Sequence, residues 1–220
     1  MAILPVGGAA TNFAAATSAT LTYAPTLGNI VCAFFAPNSA VSALTVKDSG
    51  GVVLTSGPTA TFGAAVDNAS AWFYTASAGV TKFIASWTTS RASVFGVEEY
   101  SGVTGGVNGA LAGSAATGTS AAPSITVTTQ DNNDFVVAGL FSGANAITVT
   151  TGTQRQSATG AATIKLDIAD NTAASAGAVT IAGTITTSIA WAALALELRL
   201  TAVVAAAANY NRLMMVGCGT

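Results

Sequence analysis

The chain contains no histidine. Its absence removes the side chain that most often acts as a general base near neutral pH, and the commonest nitrogen ligand for zinc. Charge is almost as scarce. Lys, Arg, Asp and Glu together make up 7% of the 220 residues, where ordinary soluble domains carry about 25%. Disorder needs high charge and low hydrophobicity, and a chain that is 51% hydrophobic shows the reverse. The basic residues are scattered from Lys47 to Arg212 and the net charge is −2, so no electropositive stripe for nucleic acid forms. Two cysteines make no disulfide framework. Cys32 sits in the apolar run Ile30-Val-Cys-Ala-Phe34 and reads as a buried strand thiol; a bond from it to Cys218 stays open. Long apolar runs are missing too. The best candidate, Ile189–Ala208, is interrupted by Glu197, Arg199 and Thr201, so no membrane helix is expected. Met1–Pro5 lacks a basic region and a long apolar core, which predicts folding in a cytoplasm without Sec export.

What the chain has instead is Thr, Val and Ile in short alternating runs, punctuated by Gly, Asn, Asp, Ser and Pro. That is the signature of strands and turns. Strands are predicted at 18–23, 29–36, 43–47, 69–74, 81–87 and 93–100. A second set follows at 124–129, 135–142, 146–150, 163–169, 178–184 and 189–200. Asp48-Ser-Gly-Gly51 is a turn, with the aspartate capping backbone and the glycines free to take positive φ. The Gly-, Ala-, Ser- and Thr-rich stretch 101–120 reads as a surface loop or linker.

That stretch divides an internal repeat. Thr20…Ile30-Val31-Cys32-Ala33-Phe34-Phe35 aligns without gaps on Thr126…Val136-Val137-Ala138-Gly139-Leu140-Phe141. Ser77-Ala-Gly79 and Thr88-Thr-Ser90 align on Ser175-Ala-Gly177 and Thr186-Thr-Ser188, which sets Glu99 on Glu197 and Phe83 on Ile181. The expected fold is an all-β, two-sheet antiparallel jelly-roll β-sandwich with a pseudo-twofold repeat. It forms one domain over residues 1–200, with halves at about 17–102 and 121–200. Two tandem domains are the rival.

No catalytic motif emerges: there is no nucleophile elbow, phosphate loop or dinucleotide fingerprint. Glu98 and Glu99 are adjacent, so on a strand they point to opposite faces and cannot share a substrate. They are expected at the surface or linked to Arg91, Arg155 or Arg199. Glu99 and Glu197 could meet only across the pseudo-twofold. Asp131, Asn132 and Asp134, or Asp167, Asp170 and Asn171, supply oxygens but read as turns rather than a calcium site. Trp72, Phe73, Tyr74, Trp87, Tyr100 and Trp191 read as core, with an aromatic ligand platform as the alternative. No enzyme activity, metal or cofactor is expected.

The last segment, 201–220, is an apolar tail outside the repeat. Tyr210, Leu213, Met214, Met215 and Val216 stand there with Arg212 as the only charge, and are expected to dock on a partner or on the chain itself. A surface filled by Thr, Ser, Asn, Gly and Ala suits a chain packed against copies of itself.

Three stretches, Val46-Lys-Asp-Ser-Gly-Gly-Val52, Ala71-Trp-Phe-Tyr74 and Val97-Glu-Glu-Tyr-Ser-Gly-Val103, with a final strand at Ala193–Leu200, resemble a broad group of jelly-roll-like β-sandwich domains. These occur in bacteriophage virion proteins and bacterial surface proteins. Gly51-Val52 departs from the Gly-Asn common there. The resemblance implies a virion or cell-surface role and carries over no active residues. The leading expectation is a capsid decoration or cement protein, localised to the virion after assembly in the host cytoplasm. It would bind a major capsid protein or another virion protein, as a homo-oligomer (dimer or trimer), without nucleic acid or membrane. The alternative is a carbohydrate- or receptor-binding module of a tail fibre or adhesin, which requires an exposed aromatic pair.

Overall fold

The computed structural model describes residues 2–63, 67–109, 114–160 and 164–200. The tail residues Tyr210, Leu213, Met214, Met215 and Val216 lie outside them, as does Cys218.

The chain is all-β, a β-sandwich built from antiparallel pairings. In the first half, β1 (Leu4–Thr22) runs beside β6 (Lys82–Ser101) along nearly its whole length. Register shifts between Phe13 and Ser18 bend this ribbon, so it serves two layers. Its Leu4–Phe13 end joins β2 (Ile30–Pro37), β5 (Asp67–Thr75) and β4 (Thr55–Phe62) in the order β1-β6-β2-β5-β4. Its Ser18–Thr22 end, with Lys82–Ser86 of β6, takes β3 (Thr45–Asp48) as a third strand.

The second half repeats these pairings. β10 (Phe135–Gly143) lies between β13 (Ile164–Thr172) and β15 (Ile189–Leu198), and β12 (Thr153–Ala158) flanks β13. β8 (Ala115–Ser120) and the two-residue β7 (Val107–Asn108) pair with β15. β9 (Ser124–Thr129), β14 (Gly177–Ile185) and β11 (Ile147–Thr151) form a separate sheet in the order β11-β14-β9. Where the first half bends one continuous ribbon, the second breaks it at Pro123 and at Thr186–Ser188.

Side-chain alternation turns these sheets into four layers with three cores. Along β2, Val31, Ala33 and Phe35 pack with Leu21, Val46 and Phe83 into the core of the first half. Along β10, Val136, Ala138 and Leu140 pack with Ile125, Val127 and Ile181 into the core of the second. The opposite faces meet each other: Cys32, Phe34 and Tyr100 lie against Val137, Ile168 and Leu196. Both large sheets are thus covered on both sides, and β2 is buried at all eight positions.

The repeat is real, with a small change of register. Val31 pairs with Glu99 and Val136 with Glu197, and both valines face their own half's core. Val31 therefore matches Val136, not Val137 as the gapless alignment has it, because a shift of one residue would turn the strand inside out. Three residues further on, Phe34 matches Gly139. A Cβ on Gly139 would lie 2.5 Å from a Phe34 ring carbon, so the ring of one half fills the space left by the glycine of the other.

The stretch 101–120 is not simply a linker, since β7 and β8 pair with β15 there. The N-terminal residues form the first half of β1, and β4 and β12 are strands that the sequence pattern does not reveal. All lie at sheet edges and are rich in Ala, Gly, Ser, Pro or Gln rather than Val or Ile, so they depend on a partner's ladder. The turn at Asp48 is as expected: Gly51 has φ 89° and the Val52 amide donates to Asp48 Oδ1 at 2.9 Å.

Candidate functional site

Eight of the nine carboxylates are buried, and only Asp131 is substantially accessible. Buried charge is costly unless it is bonded or neutralised. The sequence pattern puts Glu98 and Glu99 at the surface; in the structure they are 2% and 1% exposed. The reason is topological. The end of β6 lies between β1 and β2 and is covered on both faces, so neither side of the strand meets water.

The two glutamates do point opposite ways, and each does different work. Glu99 faces the first half's own core. It accepts hydrogen bonds from the Tyr23 hydroxyl at 2.6 Å, the Thr26 amide at 3.0 Å and Asn29 Nδ2 at 2.5 Å. Burial pushes the Glu99 carboxyl up, but the bonds from Tyr23, Asn29 and Thr26 outweigh it and hold it below its usual range. The Tyr23 phenol is raised in turn, by burial and by Glu99. Glu197 does the same job in the second half, accepting from the Gln130 amide at 2.7 Å and Asn108 Nδ2 at 3.3 Å. Burial raises its carboxyl, with Asp134 nearby adding to the rise. Each glutamate pins the loop that enters its half's central strand, which explains why the repeat keeps both. They face separate outer cores, so the pseudo-twofold does not bring them together.

Glu98 faces the middle layer, where a polar cluster interrupts the apolar contact between halves. The Tyr100 hydroxyl donates to Asp170 Oδ2 at 3.0 Å. Arg155 grips the same carboxylate with two bonds, Nε at 2.6 Å and Nη2 at 3.0 Å. Gln156 Nε2 donates to Glu98 Oε2 at 2.9 Å. Arg155 and Gln156 are consecutive, yet both serve this layer because β12 is irregular between Gln154 and Gln156. Gln154 reaches the other side, to Asp167 Oδ1 at 2.8 Å. On the next strand Gly8 faces Glu98, and a Cβ there would collide with the carboxylate.

Burial drives the Glu98 carboxyl up to about 7; the Gln156 bond opposes the rise and the Asp170 charge adds to it. Burial raises Asp167 to about 6 against bonds that favour its ionised form. The Cys32 thiol, opposite Glu98 in the register, is also raised by burial, so it is an inert core thiol. The cluster can hold and release a proton near neutral pH and can fix the halves in register. It opens into neither of two surface hollows: one of about 480 Å³ beside Ile3, Phe135 and Leu200, and one of about 250 Å³ beside Val41, Leu44 and Ser70.

Several of the oxygen groups considered for calcium have protein partners of their own. Asp131 pairs with Arg199, Asp134 accepts the Asp131 amide at 2.9 Å, and Asp170 is held by Arg155. Among the described residues no three metal-ligating side chains converge. Five of the six candidate aromatic side chains are core: Trp87 and Trp191 are 5% and 7% exposed, and Tyr74 donates to Asp48 at 2.9 Å, while Phe73 is half-buried against the middle core. Sequence reasoning offered Arg155 as a partner for Glu98 and Glu99 but missed Gln156 and Asp170, because no local signal joins Glu98 to residues 58 or more positions away.

No protein-family model matches the chain, and no curated protein matches it. A solved structure described as the STIV MCP, a virus major capsid protein, is similar at 10% identity and a TM-score of 0.26, covering 93% of this chain and 99% of that one. At that level the likeness carries no weight for function.

Proposed function

We propose that this chain is a structural protein of a virion, acting as a decoration or cement protein that stabilises a phage shell through subunit contacts. The observation that carries the reading is where the charge goes. A free protein keeps its acidic groups at the surface, where they maintain solubility. Here eight of nine are drawn inside, leaving Thr, Ser, Gly and Ala outside. Such a surface favours contact with copies and neighbours over contact with water.

Strand order supports the same reading. Counting the bent parts of β1 and β6 separately, each half places its first, last, third and sixth strands side by side in one sheet. Its fifth strand extends that sheet beside the sixth, and its second, seventh and fourth strands form the other. A jelly roll, an architecture used by viral shells and by lectins, has the same two runs but sets its fifth strand in the smaller sheet, so we read each half as a variant of that architecture. The lectin branch calls for an exposed aromatic pair, which is less well supported, since of the six candidates only Phe73 is even half-exposed. Tyr210, Leu213, Met214, Met215 and Val216 remain the proposed anchor to a major capsid or other virion protein.

The test uses purified particles of the virus whose genome carries this chain. The protein is expected in those particles by mass spectrometry. The recombinant protein is expected to co-sediment with particles stripped of it and to raise their disruption temperature, and loss of residues 202–220 should weaken that binding. Absence from purified particles together with failure to co-sediment overturns the reading.

A further inference from the structure

The two halves share a fold, so one serves as a control for the other. In the first half, the small outer sheet carries Lys82 on its central strand and Lys47 on an edge strand. The Ser18–Thr22 edge, the counterpart of β9, is itself uncharged, but Lys82 stands beside its Thr22 in the register and Lys47 occupies the other edge, so a lysine lies at or next to each edge of that sheet and works against pairing with other chains. In the second half, the three strands β9, β14 and β11 contain no charged residue. The outward side chains of β9 are Ser124, Thr126 and Thr128, all exposed, while Ile125 and Val127 point into the core. Both edges of this sheet carry the same pentapeptide, Ile-Thr-Val-Thr-Thr, at 125–129 and 147–151. The two edges are not equivalent, however. β11 has a register shift between Val149 and Thr151 and runs directly into Gly152 and β12. β9 keeps six consecutive pairs with β14 and no irregularity, with proline only before it at Pro123. Among the described residues, β9 is therefore a straight, β-branched edge with no charge, proline or bulge within it to protect it.

We propose that β9 is the interface through which a second copy of this chain binds. Two β9 strands pair antiparallel about a twofold axis and join the two sheets into one of six strands, β11-β14-β9-β9-β14-β11. An antiparallel pair of identical strands closes on itself, as a twofold dimer requires. The β9 strands contribute backbone hydrogen bonds, and the small threonine side chains allow close approach without burying a charge. This deepens the assembly reading above and rests on it: it names the partner and the surface. One six-residue edge buries less than a standard interface, so the dimer is weak in dilute solution and strengthens when the shell holds copies close together.

The experiment is sedimentation equilibrium of the full chain across the micromolar to submillimolar range, on wild type, Thr128→Lys and Thr148→Lys. Both sites are exposed, and circular dichroism and the thermal midpoint report whether each variant folds. Wild type is expected to go from monomer to dimer with rising concentration, Thr128→Lys to remain monomeric, and Thr148→Lys to dimerise as wild type does. A wild type that stays monomeric throughout overturns the proposal, as does a dimer unchanged by Thr128→Lys. Mass that grows beyond the dimer and is blocked equally by Thr148→Lys overturns the closed twofold in favour of open β9-to-β11 pairing. Particle binding is scored separately. Wild-type protein that binds particles but never dimerises overturns this interface alone, whereas a dimer absent from particles overturns the virion reading and leaves the interface standing.

Discussion

Replacing Glu98 with Gln should stabilise this protein above neutral pH and leave it unchanged in acid. The fold raises the Glu98 carboxyl from its ordinary 4.5 to about 7. Between those values the folded chain holds a proton that the unfolded chain has released, so the folded state is progressively penalised as pH rises. The stability associated with protonated Glu98 is complete below about pH 4.5 and is lost as pH passes through about 7. A tenfold change in proton affinity is worth about 1.4 kcal/mol, which sets an upper bound of about 3 kcal/mol on the penalty. Gln is neutral at every pH, nearly the same shape, and its amide oxygen can still accept from Gln156. Urea unfolding followed by tryptophan fluorescence at a series of pH values measures the difference. Wild type and Glu98→Gln should agree near pH 4 and diverge by about 1–3 kcal/mol near pH 8, with equal denaturant slopes. Asp67, Asp167 and Glu197 are also raised and tilt both proteins alike, so only the difference between the curves reports on Glu98. Two parallel curves would refute the reasoning, because Glu98 would then titrate as it does in the unfolded chain.

Other predictions test the layers around it. Gly139→Ala should cost about 1–3 kcal/mol by driving a methyl into the Phe34 ring, and the double variant with Phe34→Ala should cost less than the sum of the two, seen in thermal and urea melts. Arg155→Met should cost about 3 kcal/mol, since it strips Asp170 of two bonds and leaves a carboxylate that is 1% exposed with only Tyr100 as a donor; Asp170→Asn added to it should recover part of the loss. Glu99→Ala should speed amide hydrogen exchange at Thr26, and Glu197→Ala at Gln130, each change confined to its own half.

The central strands are legible in the sequence because they must be apolar. β2 and β10 are buried on both faces, and their near-continuous apolar runs mark bounds within a residue or two of those observed. β9 is legible to the residue, since its strict alternation leaves no second reading. The edge strands are not legible. β4, β8 and β12 carry Pro, Gly, Ala and Gln, and they form only because a neighbour's ladder is already in place. The site divides in the same way. The repeat points to Glu99 and Glu197, whose shared role is local to each half. The burial of Glu98 depends on β12 and β13 of the other half, so its partners appear only when the two large sheets meet. The register slip in the repeat has a similar origin, since matching residue types cannot tell the inward face of a strand from the outward one when both are buried.

The inward placement of the carboxylates also governs how the protein moves in an electric field. The formal charge of −2 counts nine free acids against seven bases. In the folded chain Glu98 and Asp167 retain protons well above their ordinary range, while Lys82 and the half-exposed Lys47 and Arg91 remain at the surface. Near pH 6 the native protein should therefore migrate toward the anode more slowly than its composition implies. Unfolding at that pH releases protons and should increase its anodic mobility, so a urea-gradient gel would show the transition as a gain in charge that offsets the drag of expansion.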